Sequence, residues 1–294
     1  MKESMISFGK VITAMVTPFD YKGNVDFAKT TQLVNYLIAN GTDSIVVSGT
    51  TGESPTLSTE EKLALFQHVV KVADNRAKII AGTGSNNTYA SIELSKKAEK
   101  IGVDALLLVS PYYNKPNQQG LYEHFKAIAE STKLPIMLYN IPGRTAVKID
   151  VDTIVKLSAI PNIVALKEST GDIAATTEII AKTDESFHLY SGDDYLTLPM
   201  LAIGAKGVVS VAAHIIGNEM QEMIKTFESG ETQKAALMHQ RLLPVMNAMF
   251  IAPNPTPVKT ALQMKGIDVG SVRLPLVPLT GQEREKLSGI VNNL

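Results

Sequence analysis

Cysteine is absent from the 294-residue chain. That excludes a disulfide framework, a thiolate nucleophile and any cysteine metal site, and it suits a reducing cytoplasm. An excess of either charge sign is missing too. With 19% charged residues and a formal net charge of -1, neither nucleic acid nor an anionic membrane is expected as a partner. The first 17 residues hold no apolar stretch of secretory length and no cleavage pattern follows, so no targeting segment is read. One window, 195–217, has membrane-like hydropathy, but Lys206 stands inside it within Gly204-Ala205-Lys206-Gly207. That reads as a turn between a buried helix and a buried strand.

Other signatures are equally short. His68, His124, His188, His214 and His239 show neither H-x-H nor H-E-x-x-H spacing, so they are expected in the core or on the surface. Asp193 and Asp194, following Ser191-Gly192, are expected to cap the next helix rather than hold a divalent ion. GTGSNN at 82–87 starts like a dinucleotide fingerprint, but Asn87 stands where the third glycine belongs. There is no G-x-S-x-G elbow for a hydrolase serine. The expectation is an enzyme without metal or cofactor.

What the chain has is regularity. Short apolar runs rich in β-branched residues recur at 11–16, 44–47, 78–81, 105–109, 135–139, 163–167, 187–190 and 207–211. They lack polar alternation, as strands covered on both faces do. Between them the apolar period changes to 3.6, at 27–39, 59–72 (after a Ser58 cap), 89–101 and 121–131. Eight strand–helix units predict an α/β chain forming a closed (β/α)8 TIM barrel over 1–230, with a doubly wound open sheet as the rival. From about 231 the chain reads as helical at 233–250, 256–265 and 282–291, a C-terminal helical appendix over 231–294.

A barrel of this kind carries its active site at the carboxyl ends of its strands. Those segments read TPFD, SGTTGES, GTGSNN, SPYYNKP, YNIPGRT, KESTGD, SGDD and SVAAH, a rim of hydroxyls, phenols and single charges. Lys167 ends the run Ile163-Val164-Ala165-Leu166, where burial disfavours an ammonium and favours the free amine that condenses with a ketone. Position alone favours a strand-end lysine paired with Glu168 or reaching solvent, and the other loops shift that balance. Tyr139 ends the neighbouring run, and strands ~4.8 Å apart let phenol and amine share a site. Thr50, Thr51 and Tyr113 are candidates for the same hydrogen-bonded chain, although Tyr139 alone could be a core aromatic. Arg144, in a Pro-Gly turn, could clamp a substrate carboxylate or be a solvated loop arginine.

GTTGES, SPYYNKP, YNIPGRT and KESTGD, in this order and at these strand ends, resemble the pyruvate-dependent aldolase and lyase superfamily. Within it the resemblance is to the dihydrodipicolinate synthase family, over essentially the whole chain. It implies that Lys167 forms a Schiff base with pyruvate, whose enamine attacks L-aspartate 4-semialdehyde to give 4-hydroxy-tetrahydrodipicolinate, the entry to diaminopimelate and lysine. It also implies a proton relay of Tyr139, Thr50 and Tyr113, the last reaching in from a neighbouring subunit. Thr51, Gly192 and Val209 would line the pyruvate site, and Arg144 would bind the semialdehyde carboxylate. A tetramer built as a dimer of dimers is the family habit. N-acetylneuraminate lyase shares the loop, the tyrosine and the lysine but resembles Gly143-Arg144-Thr145 poorly; a keto-acid-binding barrel without turnover would be expected to lack the relay. Finally, Ser54, Asn86 and Tyr112 match the family's site for feedback by L-lysine. Thr59, Lys62 and Ala90 depart from it, in a direction that disfavours a cationic effector.

Overall fold

Continuous apolar runs form strands that need cover on both faces, and a closed barrel supplies it. The computed structural model describes residues 7–293. The first six residues, part of the stretch read above for a targeting segment, and Leu294 lie outside the described residues. Strands β1 (Val11–Ala14), β2 (Ser44–Val47), β3 (Lys78–Gly82) and β4 (Ala105–Val109) are followed by β5 (Ile136–Asn140), β6 (Ile163–Glu168), β7 (His188–Ser191) and β8 (Gly207–Ser210). All pair in parallel, each with its sequence neighbour, and β8 returns to β1. The closed barrel is therefore present and the open-sheet rival is not.

Period-2 alternation divides the apolar residues into two cores. Met137 and Tyr139 of β5 point inward with Ala165 of β6, among Ile12, Val46, Ile80 and Val209. Leu138 and Leu166 point outward, into the larger cluster beneath the helices. Phe8 closes the lower end, edge-on to Tyr190.

The helices on the outside are α1 (Phe27–Ala39), α2 (Thr59–Ala73), α3 (Thr88–Ile101), α4 (Gln118–Glu130), α5 (Pro142–Thr145) and α6 (Val151–Ser158). After these come α7 (Ile173–Lys182), α8 (Thr197–Ala202) and α9 (Ala213–Glu228). The last three are α10 (Thr232–Ala248), α11 (Thr256–Met264) and α12 (Gly281–Val291). Leu242, Val258 and Leu287 from these three lie in the same outer core as the barrel residues. No helix among the described residues is long and apolar enough to cross a membrane.

Boundaries moved where a hydrogen bond overrode the apolar pattern. Pro135 has no N–H to give, so β5 starts one residue later than its apolar run, with Pro135 serving only as acceptor for Leu106. Val16 leaves β1 because its N–H goes to His214 Nε2 at 3.2 Å. Helix α4 begins at Gln118 rather than 121 because the Asn117 side chain caps Gly120 N at 2.9 Å. Ser58 caps α2 as expected, in a capping box with Glu61.

Candidate active site

The barrel register delivers Tyr139 and Lys167 side by side: they are direct partners between β5 and β6. Both side chains point into the barrel, Lys167 only 5% exposed, with its Nζ 4.0 Å from the centre of the Tyr139 ring. Glu168, one residue on, faces outward and is held by Asn140 Nδ2 at 3.0 Å and Thr170 N at 2.7 Å. The pairing of Lys167 with Glu168 that position alone allowed is thus absent. Lys167 takes part in no ion pair or side-chain hydrogen bond among the described residues.

Burial pulls the Lys167 ammonium down from 10.5 to about 8, while the carboxylates of Asp193 and Asp194 pull the other way. Burial likewise pushes the Tyr139 phenol above its ordinary range, opposed by the Arg144 cation. A phenol so placed stays protonated and acts by passing hydrogen bonds, not as a standing phenolate. Asp193 is raised by burial to about 6, with the Lys167 cation opposing. The sequence predicts a helix cap at this position, yet the Asp193 side chain makes no cap hydrogen bond.

Asp194 corrects the same expectation. It does not cap the helix that follows it but accepts from Val211 N at 3.1 Å, Ala212 N at 2.9 Å and the Ser210 hydroxyl. A buried carboxylate satisfied this way ties the loop after β7 to the start of α9.

A cavity of about 290 Å³ opens above Tyr139. Thr50, Tyr139 and Arg144 line it, joined by Ser48, Lys62 and Tyr112 from the loops and α2. Lys167 is not among the lining side chains; its Nζ lies against the Tyr139 ring. At Gly192 a Cβ would lie 3.1 Å from Lys167 Cε and 1.9 Å from Ser169 Oγ, so the backbone can approach the amine only because the residue is glycine. Val209 is fully buried inside the barrel on β8.

Two expected participants do not line this cavity in the chain. Tyr113 is 89% exposed, in the left-handed region at φ 74°, and does not line the cavity. The Thr51 side chain is buried and bonded to Asn254 Nδ2 at 2.9 Å. Asn87, the residue that broke the dinucleotide pattern, caps α3 through Ala90 N. Two of the histidines hold backbone and side chains in place. His214 accepts from Val16 N and bonds Val211 O at 2.8 Å, and His124 meets the Thr88 hydroxyl at 2.8 Å. No cluster of three or more His, Asp or Glu among the described residues is placed to hold a metal ion.

Sequence reasoning missed a second polar cluster behind the Thr50 turn. Glu53 and Lys259 form a buried ion pair at 2.6 Å, with side chains 1% and 3% exposed. Lys259 Nζ also donates to Ser271 O at 2.8 Å and lies 4.2 Å over the Phe19 ring. Burial lowers it to about 8 against the pull of Glu53.

Comparison with known proteins shows what the chain resembles as a whole. Residues 7–294 match the model of the "Dihydrodipicolinate synthetase family". The 4-hydroxy-tetrahydrodipicolinate synthase of Bacillus subtilis (strain 168) is 63% identical over 290 residues, covering 98% of this chain and 100% of that protein. A crystal structure of a dihydrodipicolinate synthase from Bacillus anthracis superposes with a TM-score of 0.97 at 66% identity, covering 99% of both chains. One from Cyanidioschyzon merolae with lysine bound gives a TM-score of 0.95 at 46% identity, covering 98% of this chain and 99% of that one.

Proposed function

Because the chain belongs to the dihydrodipicolinate synthetase family, we propose that its barrel mouth condenses pyruvate with L-aspartate 4-semialdehyde to 4-hydroxy-tetrahydrodipicolinate, with Lys167 as the Schiff-base lysine. The observation that carries this is a primary amine sealed in an apolar barrel, unpaired, lowered to about 8 and laid against the Tyr139 ring. At pH 7 on the order of a tenth of such an amine is free base, against well under a thousandth for a solvated lysine.

The free amine adds to the keto carbon of pyruvate. Tyr139, kept protonated by burial, donates to the carbinolamine oxygen as water leaves, and the iminium draws electrons from the neighbouring methyl carbon. Loss of a methyl proton gives the enamine, which forms a carbon–carbon bond to the aldehyde of the second substrate. The amino group of that substrate then closes on the imine carbon and displaces Lys167. Thr50 shares the cavity with Tyr139 and relays the proton. Thr51 accepts from Asn254, which leaves its own proton to donate toward the pyruvate carboxylate. The close backbone approach at Gly192 and the Val209 wall complete that pocket, and Arg144 holds the semialdehyde carboxylate at the mouth.

Tyr113 projects from the loop after β4 and reaches the relay of a second copy, in a tetramer built as a dimer of dimers. The barrel of 1–230 carries the chemistry and 231–294 is its helical appendix; the protein works in the cytoplasm. The substrate assignment is tested by offering the purified enzyme pyruvate with L-aspartate 4-semialdehyde, and separately N-acetylneuraminate. Saturable consumption of the first pair and no pyruvate release from the second is expected; the reverse pattern would overturn the assignment.

A further inference from the structure

Thr50 and Thr51 sit on a turn whose shape is not set by its own residues alone. Ser48 at φ 57° and Glu53 at φ 56° are both in the left-handed region, an arrangement non-glycine residues keep only when surroundings enforce it. Within the turn, Glu53 N bonds Thr50 O at 3.0 Å and Ser54 N bonds Gly49 O at 3.2 Å. From outside the turn, the Thr17 hydroxyl donates to Gly52 O at 2.6 Å, and three further grips come from the carboxyl-terminal part of the chain. Asn254 holds the Thr51 hydroxyl at 2.9 Å, Lys259 pairs with Glu53 Oε1 at 2.6 Å, and Arg273 N donates to Glu53 Oε2 at 2.9 Å. The Arg273 guanidinium reaches on to Thr56 O at 2.8 Å and to the Glu61 carboxylate that caps α2.

A buried ion pair adds little stability over an apolar pair of the same volume, because desolvation offsets the attraction. What it does supply is direction. We propose that Glu53, Lys259 and Asn254 are positioning residues, which hold the turn so that the Thr50 hydroxyl reaches the relay and the Thr51 hydroxyl points at the pyruvate carboxylate. The carboxyl-terminal helices are then part of the active site's framework, acting through the two threonines without touching substrate. This rests on the reading of Thr50 and Thr51 given above.

The test is a double-mutant cycle on kcat between Glu53→Gln and Thr50→Val, with folding checked by thermal melting of each purified variant. Thr50→Val alone is expected to lower kcat by about 100-fold, the usual scale for losing a proton-transfer group. Glu53→Gln alone is expected to lower kcat by about tenfold or more with pyruvate KM within about threefold, and to have nearly no effect once Thr50 is already valine. Losses that multiply fully in the double variant, or an unchanged kcat in Glu53→Gln, overturn the positioning role while leaving the function intact. A Thr50→Val enzyme with normal kcat overturns both. If Glu53→Gln does not fold, Asn254→Ala carries the test through the other threonine. It is expected to raise pyruvate KM about tenfold, but not in a Thr51→Val background; an unchanged KM contradicts the proposal.

Discussion

Two buried lysines, Lys167 and Lys259, are both lowered by burial to about 8, yet only one is arranged as a nucleophile. Lys259 spends its ammonium on Glu53 at 2.6 Å and Ser271 O at 2.8 Å, over the Phe19 ring. Lys167 has no ion-pair partner among the described residues and lies against the ring of Tyr139, which lines the cavity with Thr50 and Arg144. Desolvation lowers an amine wherever it is buried; what separates the two is that Lys167 has no fixed partner and lies against a ring that lines the cavity. The first lysine is a tool and the second a fastener, and the difference lies in their neighbours.

The largest expected effect breaks the comparison at its reactive member. Lys167→Arg keeps the positive charge but cannot form an imine, and turnover with both substrates should fall by about 1000-fold or more in a steady-state assay. Stability should then separate the two lysines by sign. Lys167→Met removes a cation held at about 8 instead of 10.5, which stabilises the fold by up to about 3 kcal/mol at neutral pH. The folded state binds its proton more weakly than the unfolded state, so this penalty is full below pH 8. It fades as pH rises through the window from 8 to 10.5, and the melting-temperature gap between variant and wild type should close over that range. Lys259→Met leaves Glu53 buried without its cation and should cost about 3–5 kcal/mol. Melting curves in which both variants move the same way would remove the distinction.

Smaller effects sharpen the account of who shares the cavity. Inactive Tyr113→Phe and Lys167→Ala subunits, mixed equally and allowed to exchange, should regain about a quarter of the wild-type activity, because one site in each mixed pair has both groups intact. Mixtures that stay inactive while wild-type subunits exchange would put Tyr113 in its own chain's site or nowhere. The smallest effect concerns Lys62, a third lysine lowered by burial, which lines the same cavity with Ser54 and Tyr112. A cation there opposes a cationic effector, so millimolar L-lysine should leave the rate unchanged at saturating pyruvate. Partial inhibition that saturates below that range would show that the departures at Thr59, Lys62 and Ala90 carry no regulatory meaning.

The barrel was legible because strands covered on both faces announce themselves as unbroken apolar runs, and β2 and β4 begin and end where those runs do. Boundaries drifted where side chains competed for backbone groups, as at Val16 with His214 and at Asn117 before α4. Lys167 stood out as a cation ending an apolar strand, and strand order was enough to place Tyr139 beside it. Lys259 did not stand out, although the signal existed. It follows Val258 and precedes Ala261 and Leu262 on a face of α11 that is wholly buried. A lysine on the apolar side of a helix needs a counter-charge, and Glu53 in GTTGES was that charge, 206 positions earlier in the chain. Contacts that distant leave no local pattern. Asp193 was visible as a residue but not as a charge acting on Lys167.

Reductive trapping tests the central claim most directly. Incubated with pyruvate and borohydride, then digested and mapped by mass spectrometry, the protein should carry one reduced pyruvyl group, on Lys167, and lose activity in proportion. Lys259, equally buried and equally lowered but bound to Glu53, should remain unmodified. An adduct on Lys259 or any other lysine, or full inactivation with Lys167 unlabelled, would contradict the account.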